Sequence, residues 1–441
     1  MDFELLKQKA FASGINQIEL YEEKAHSLNI NFFDETIDQR EENDTNVFAI
    51  RGVYNNQIAT IYVENDDNNE IDEIIKRLKE AASSITKNDP FFIYGGDENY
   101  TKLPIDENDF DKYSLQNKID ILKNLASYFK SKAPYFYHVQ LSYEQGYNEV
   151  SIINSNGLNV CRKNNFAVIV AELICQKDGE MKNNFSFKFL KKLKDFDAFS
   201  FADDIIEKTV SQFDAITIPS NSYKVVLSNE VVCSLLGVYQ SIFYANSVKD
   251  KLSFLENSIN KKVFGDNVTL VDDPFLKASP FNNTFDDEGV ATRKNTIVEN
   301  GYLKTFAHNL STAAYFNTKT TGNGFKSSTS KSVGISFNTL CLEPGETSFT
   351  DLLCKVNDGV LITDITGLHA GVNVISGDFN VQCSGYLIKN GKKDRAVTLI
   401  VLSGKFQDLF NNIKEIANDC TYYRDVYAPS IYIESMNISG K

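Results

Sequence analysis

Apolar residues recur at helical spacing in four stretches of the N-terminal half. The clearest case is residues 71–85, where Ile71, Ile75 and Leu78 fall on one face of a helix. Helices are predicted over residues 2–13, 71–85, 114–131 and 199–213. Apolar–polar alternation predicts strands over residues 17–22, 27–33, 46–51, 57–63, 135–143, 149–154 and 167–174. This helix–sheet–helix–sheet order indicates an α+β fold rather than a repeated βαβ unit.

The pattern turns mostly to strands after Tyr223. Strands are predicted over residues 295–298, 302–308, 332–342, 359–364, 383–389 and 396–402. Helices are expected from residue 228 or 229, near 246–260 and over 405–416, followed by a polar tail. Two Asn-Gly pairs, Asn300-Gly301 and Asn390-Gly391, predict tight hairpins.

The predicted fold class is therefore α+β, with an N-terminal helix and antiparallel-sheet domain before a β-rich, peptidase-like C-terminal domain. Its predicted boundaries are 1–195 for the first domain, 196–222 for a helix and linker, and 223–441 for the second domain.

Composition and charge exclude several classes of function. The 441 residues carry a net charge of −14, with no concentrated basic stripe, so no nucleic-acid partner is expected. The seven cysteines include no Cys-x-x-Cys pair, which favours reduced thiols over disulfides or structural zinc. A charged N-terminus and the lack of a 20-residue apolar run predict a cytoplasmic protein without a membrane partner.

The predicted helix after residue 228 carries the most informative motif. In zinc peptidases, helical histidines bind the metal and an adjacent glutamate acts as base. Here Glu230 is present, but Asn229 precedes it and Ser234 follows one turn later. These degenerate positions suggest a hydrolase architecture without its metal site. On the local sequence alone, an ordinary capped amphipathic helix is the simpler explanation of the same residues.

Two glycine-bearing segments, residues 321–326 and 367–378, are candidate substrate-binding loops. Glycine permits close approach of a ligand to the backbone, although plain loops would have the same composition. The candidate substrate-binding residues are Thr321, Gly322, Asn323, His369, Gly371, Asn373, Ser376 and Gly377. We expect the two loops to face one cleft.

Several segments together resemble the TldD/PmbA family, historically called modulators of DNA gyrase and later recognised as metallopeptidase-related. The resemblance lies in residues 278–281, 286–292, 297–304, 321–323, 365–373 and 376–379. The active branch of that family carries a His-Glu-x-x-x-His helix whose histidines bind zinc. The corresponding stretch here is Asn229 to Ser234, so the chain resembles the PmbA (TldE) branch, which lacks its own zinc site.

The resemblance implies a non-catalytic subunit that binds no cofactor itself and pairs with a TldD-like, zinc-bearing catalytic subunit, or with a second copy. The complex would cleave unfolded peptides, in leader-peptide removal or in degradation of unstable proteins. Two alternatives stay open. One is a homodimeric hydrolase with an unrecognised site that uses Cys233, Cys383 or His369, and the other is a stand-alone peptide-binding protein.

Overall fold

The computed structural model describes residues 1–64, 67–85, 93–103 and 108–441. Its helices are α1 (Phe3–Ala12), α2 (Ile71–Ser83), α3 (Leu115–Lys132), α4 (Ala198–Val210), α5 (Asn229–Tyr239), α6 (Ala245–Lys249), α7 (Leu310–Tyr315), α8 (Phe349–Val356), α9 (Leu368–Gly371) and α10 (Phe406–Asn411). Its first strands are β1 (Gln17–Phe33), β2 (Thr36–Tyr54), β3 (Gln57–Val63), β4 (Phe136–Asn154), β5 (Asn159–Lys177) and β6 (Glu180–Leu190). The others are β7 (Asn221–Leu227), β8 (Leu270–Asp272), β9 (Asn295–Glu299), β10 (Tyr302–Leu303), β11 (Leu340–Leu342), β12 (Gly359–Thr366), β13 (Val372–Asn373), β14 (Asp378–Lys389), β15 (Lys392–Lys405), β16 (Ile413–Ile416), β17 (Thr421–Tyr423), β18 (Val426–Ala428) and β19 (Ile431–Ser439).

The N-terminal strands form one antiparallel sheet in the order β3-β2-β1-β4-β5-β6. Helices α1 and α2 bury their apolar residues against β1, β2 and β3, and α3 and α4 bury theirs against β1, β4 and β5. The predicted segments 17–22 and 27–33 are parts of the single strand β1. No strand is predicted over residues 180–190, where β6 is an edge strand that pairs with β5 alone among the residues that the structure describes.

The C-terminal part contains a barrel and a second sheet. The barrel strands follow the order β12-β7-β19-β15-β14, and pairing of β14 with β12 closes the ring. The second sheet has the order β10-β9-β8-β11-β18-β17. Helix α5 shares one hydrophobic core with both groups of strands. The α+β fold with a β-rich C-terminal part is thus confirmed.

The predicted turns are confirmed, but several other C-terminal predictions are wrong. Asn300 and Asn390 take the positive φ that their hairpins require. The expected helix near 246–260 is only α6, because the chain adopts positive φ at Lys251, Asn257 and Asn260. Predicted strands 302–308 and 332–342 shorten to β10 and β11, and predicted helix 405–416 divides into α10 and β16. The expected polar tail contains β17, β18 and β19, of which β19 is a barrel strand.

A buried polar turn joins the C-terminal part to the N-terminal sheet. The Asp287 carboxylate accepts hydrogen bonds from the Tyr21 hydroxyl at 3.0 Å and from the Arg162 guanidinium at 2.5 Å. Arg162 also donates to the Phe285 carbonyl at 2.6 Å. Burial raises the pKa of the neighbouring Glu288 carboxyl to about 7, and burial together with Glu288 raises the pKa of Asp286. The two parts are therefore held together by groups that are removed from water.

Candidate functional site

A cleft of about 410 Å³ lies between the N-terminal part and the barrel. We call it the motif cleft, because Glu230 and Ser234 of the degenerate motif line it. The edge strand β6 and helix α4 form one side, and α5, β12, β14 and β15 form the other. Polar side chains from these elements line it, including Asn183, Lys208, Glu230, Ser234, Asp364 and Ser384. The cleft therefore brings the degenerate motif next to the open edge of the N-terminal sheet.

Asn229 is held by internal hydrogen bonds at the start of α5. Its amide group donates to the Asp419 carbonyl at 2.7 Å, and its amide oxygen accepts from the Glu230 backbone N–H at 2.8 Å. Ser228 is the N-cap residue by its extended backbone, but its buried hydroxyl has no hydrogen-bond partner among the described residues. Both polar atoms of the Asn229 side chain are thus already engaged.

Glu230 faces a lysine instead of a metal ligand. The Lys208 Nζ atom lies 3.4 Å from the Glu230 carboxylate and 2.9 Å from the Asp204 carboxylate. Burial alone would lower the pKa of Lys208, but the two carboxylates outweigh burial and raise it. Lys208 consequently stays protonated and supplies a fixed positive charge beside Glu230.

The residues present do not fit the zinc site of the active branch. That site needs two imidazoles, and the corresponding positions hold the engaged amide of Asn229 and the neutral hydroxyl of Ser234, a poor zinc ligand. Within the described ranges, no group of three or more His, Cys, Asp and Glu side chains is placed to hold a metal ion.

The loop at residues 367–378 borders the motif cleft at one end. Leu368 and the preceding Thr366 line the cleft, whereas His369 is an exposed residue of the short helix α9. The Asn373 side chain accepts from the Ile375 and Ser376 backbone N–H groups. The Gly377 carbonyl accepts from the buried Tyr239 hydroxyl at 3.0 Å. At Gly371, an added Cβ would lie 2.4 Å from the Asn380 carbonyl oxygen.

The loop at residues 321–326 has a different setting. Thr321, Gly322 and Asn323 are buried. The Thr321 hydroxyl accepts from the His308 backbone N–H at 2.7 Å, and the Asn323 amide donates to the Asp272 carboxylate at 2.7 Å. None of residues 321–326 lines the motif cleft. The two loops therefore do not face one cleft, contrary to the expectation. The polar side chains of Thr321 and Asn323 are bonded to buried partners instead.

Sequence reasoning missed Lys208 and strand β6. Lys208 has a local partner in Asp204, four residues earlier, but no local pattern indicates its contact with Glu230, which lies on another helix. Strand β6 did have a signal: Phe185, Phe187 and Phe189 alternate with polar residues, as expected for a half-buried strand.

Three family models match the chain. They are described as PmbA/TldA metallopeptidase domain 1 (residues 18–82), central domain (residues 108–213) and C-terminal domain (residues 220–440). A metalloprotease PmbA homolog of Haemophilus influenzae is 29% identical over 239 residues, which cover 54% of this chain and 50% of that protein. A metalloprotease PmbA homolog of Buchnera aphidicola is 27% identical over 288 residues, which cover 65% of this chain and 62% of that protein. The chain thus spans about half to three-fifths of the length of these relatives.

Solved structures of similar fold cover nearly the whole chain. A Thermotoga maritima protein, named as a candidate modulator of a DNA gyrase, superposes with a TM-score of 0.91 at 26% identity. That match covers 99% of this chain and 100% of the other. TldE from Thermococcus kodakarensis gives a TM-score of 0.89 at 20% identity, with the same coverage, and shows a likeness of fold alone. In the part of the chain that the structure describes, no helix is long and apolar enough to span a membrane.

Proposed function

This chain belongs to the PmbA/TldD family of metallopeptidase-related proteins, and we propose that it is a non-catalytic subunit of a peptidase complex that binds unfolded peptides. The observation that carries the proposal is the state of helix α5. Asn229 is engaged internally, and Glu230 is paired with Lys208. Without two imidazoles to hold a metal beside it, Glu230 would have no metal-bound water to activate.

The edge strand β6 supports the peptide-binding part of this proposal. It pairs with β5 on one side only, and its residues 183–186 line the motif cleft. An extended peptide can add to such an edge through main-chain hydrogen bonds, which are independent of sequence. Recognition of this kind suits a complex that selects unfolded chains.

The alternative of a self-sufficient hydrolase has less support. Burial raises the pKa of the Cys233 thiol and that of the Cys383 thiol to about 12, so both are poor nucleophiles near neutral pH. His369 lies on the exposed helix α9 rather than in the lining of the motif cleft.

Metal analysis and peptide digestion test the proposal together. We expect the purified chain to hold no stoichiometric zinc and to leave an unfolded peptide intact. Addition of a TldD-like subunit that carries the His-Glu-x-x-x-His helix is expected to give cleavage. Light scattering should show a complex with that subunit, or a dimer of the 49.7 kDa chain. Tightly bound zinc at α5, or digestion by the chain alone, would refute the non-catalytic role.

A cytoplasmic location and the absence of a nucleic-acid partner belong to the same proposal. The net charge of −14 disfavours binding to a phosphate backbone. The paired catalytic subunit, rather than this chain, would hold the zinc.

A further inference from the structure

A second cleft of about 290 Å³ lies where the N-terminal sheet meets the C-terminal loops around residues 281–287 and 325–329. We call it the Lys326 cleft. Aromatic rings, side-chain amides and one ammonium group line it, including Tyr21, Asn148, Asn164, Phe166, Phe281 and Lys326. The lining also includes the charged side chains of Glu23, Arg162 and Asp287. Polar groups of this kind fix the orientation of a ligand in a cleft.

The Lys326 ammonium has no counter-charge in contact. Its Nζ atom lies 3.5 Å from the centroid of the Tyr21 ring. Among the residues that the structure describes, no carboxylate oxygen is within 4 Å of it. Burial lowers the pKa of Lys326 to about 8, which still leaves the amine mostly protonated at neutral pH. A part-buried ammonium of this kind favours a ligand that brings a negative charge.

The other charged groups of the cleft already have contact partners. Arg162 is paired with Asp287 at 2.5 Å, and the second Asp287 oxygen accepts from the Lys326 backbone N–H at 2.8 Å. The Glu23 carboxylate accepts from Asn148 at 2.6 Å and from the Thr329 hydroxyl. Lys326 is consequently the charged group of this cleft that is left to pair with an incoming anion.

A row of aromatic rings connects the two clefts along β6. Phe185 lines the motif cleft, and Phe187 stacks on Tyr423, another residue of that lining, at 4.8 Å. Farther along β6, the Phe189 ring is 6.1 Å from that of Phe281, which lines the Lys326 cleft. At roughly 3.3 Å per residue, an extended peptide would cover the distance from Phe185 to Phe189 with about four residues. Further residues would then turn from β6 across β5 and β4 to reach Lys326, which lies over Tyr21 of β1.

We propose that the Lys326 ammonium binds the terminal carboxylate of a peptide whose preceding residues lie along β6 and whose end enters the Lys326 cleft. This inference rests on the proposed function and adds a preference for the carboxyl end of the chain. An aspartate or glutamate side chain near the end of the peptide would offer the same carboxylate chemistry. Asn164 and Asn283 line the same cleft, but their amide groups are bonded within the protein, with Asn164 donating to the Asn283 amide oxygen at 3.2 Å.

Peptides that differ only at the carboxyl end test the inference with the unmodified protein. An unstructured peptide without acidic side chains is labelled at its N-terminus and prepared as free acid and as amide. A third peptide is amidated and carries glutamate as its last residue. Fluorescence anisotropy with the full chain should show about tenfold tighter binding of the free acid than of the neutral amide, as expected for a charge-assisted hydrogen bond. A glutamate peptide that binds like the free acid would assign Lys326 to carboxylates in general.

The variant Lys326→Met should lose the difference between acid and amide. Lys331→Met is the matched control, because Lys331 is an exposed lysine of the same segment and its removal should leave the difference intact. A wild-type protein that binds acid and amide equally refutes the carboxylate inference but keeps peptide binding. A difference that persists in Lys326→Met refutes the assignment to Lys326. Failure of every peptide to bind would refute the proposed function itself.

Discussion

Replacing Arg162 with Met removes the cation that joins the N-terminal sheet to the polar turn of the C-terminal part. The guanidinium group is only 8% exposed, and its Asp287 partner is 5% exposed. The substitution removes the hydrogen bonds to the Asp287 carboxylate and to the Phe285 carbonyl. Asp287 would keep its bonds from the Tyr21 hydroxyl and the Lys326 backbone N–H, but it would lose the only cation in contact with it among the described residues.

The expected cost follows from this geometry. Removing one partner of a buried ion pair typically costs about 3–5 kcal/mol, because the other charge stays buried without compensation. The aliphatic Met side chain can retain part of the packing of Arg162 against the Phe285 ring, whose centroid lies 4.9 Å away. We therefore expect the free energy of unfolding of Arg162→Met to fall by about 3 kcal/mol or more.

Urea denaturation followed by far-UV circular dichroism measures this change, since the chain has no Trp to report by fluorescence. Lys163→Met is the control, because the Lys163 ammonium pairs with Glu149 while 61% exposed, and such a pair contributes at most about 1 kcal/mol. The double variant Arg162→Met with Asp287→Asn should recover part of the loss. If the Arg162 and Lys163 substitutions had equal effects, or if the effects in the double variant were strictly additive, Arg162 and Asp287 would not stabilise the fold as a buried ion pair.

Two further predictions concern pH and packing. The pKa of Glu288 is about 7 in the folded chain against 4.5 ordinarily, so the folded state binds more protons than the unfolded state between these values. The stability that protonated Glu288 contributes should therefore be fully present below pH 4.5 and be lost as the pH rises through about 7. Glu288→Gln should reduce this pH dependence, while the raised pKa of Asp286 keeps part of it, and an unchanged profile would contradict the assignment. Gly371→Val should lower both the melting temperature and the affinity for peptide, because the added Cβ would clash with the Asn380 carbonyl. A variant with unchanged melting temperature would refute that packing argument.

Local signals predicted the elements that local interactions specify. The hairpin at Asn390 and Gly391 needs only two residues with positive φ, and α2 needs only its own apolar stripe. The family was likewise readable from short motifs. Strand β19 was not, because its partners β7 and β15 are distant in the chain.

In the candidate site, too, contacts between residues that are distant in the chain could not be predicted from local patterns. Glycines and amides at residues 321–323 suggested a ligand loop, yet Asn323 is bonded to Asp272, 51 positions away. No pattern within the loop could reveal that partner. The pairing of Lys208 with Glu230 was hidden for the same reason, since it depends on how α4 packs beside α5.

The pairing of β7 with β19 determines when the barrel can fold during synthesis of the chain. Residues 221–227 find their antiparallel partner only when residues 431–438 have been synthesised, some 200 positions later. Helix α5 follows β7 directly, so the motif cleft cannot take its final shape on a nascent chain that still lacks β19. The N-terminal sheet is complete at residue 190 and can form long before, since domains generally fold in order during synthesis. We therefore expect an interval during translation in which the N-terminal sheet is folded and its β6 edge is exposed while the barrel is still incomplete. Ribosome-associated chaperones would bind the nascent chain in this interval.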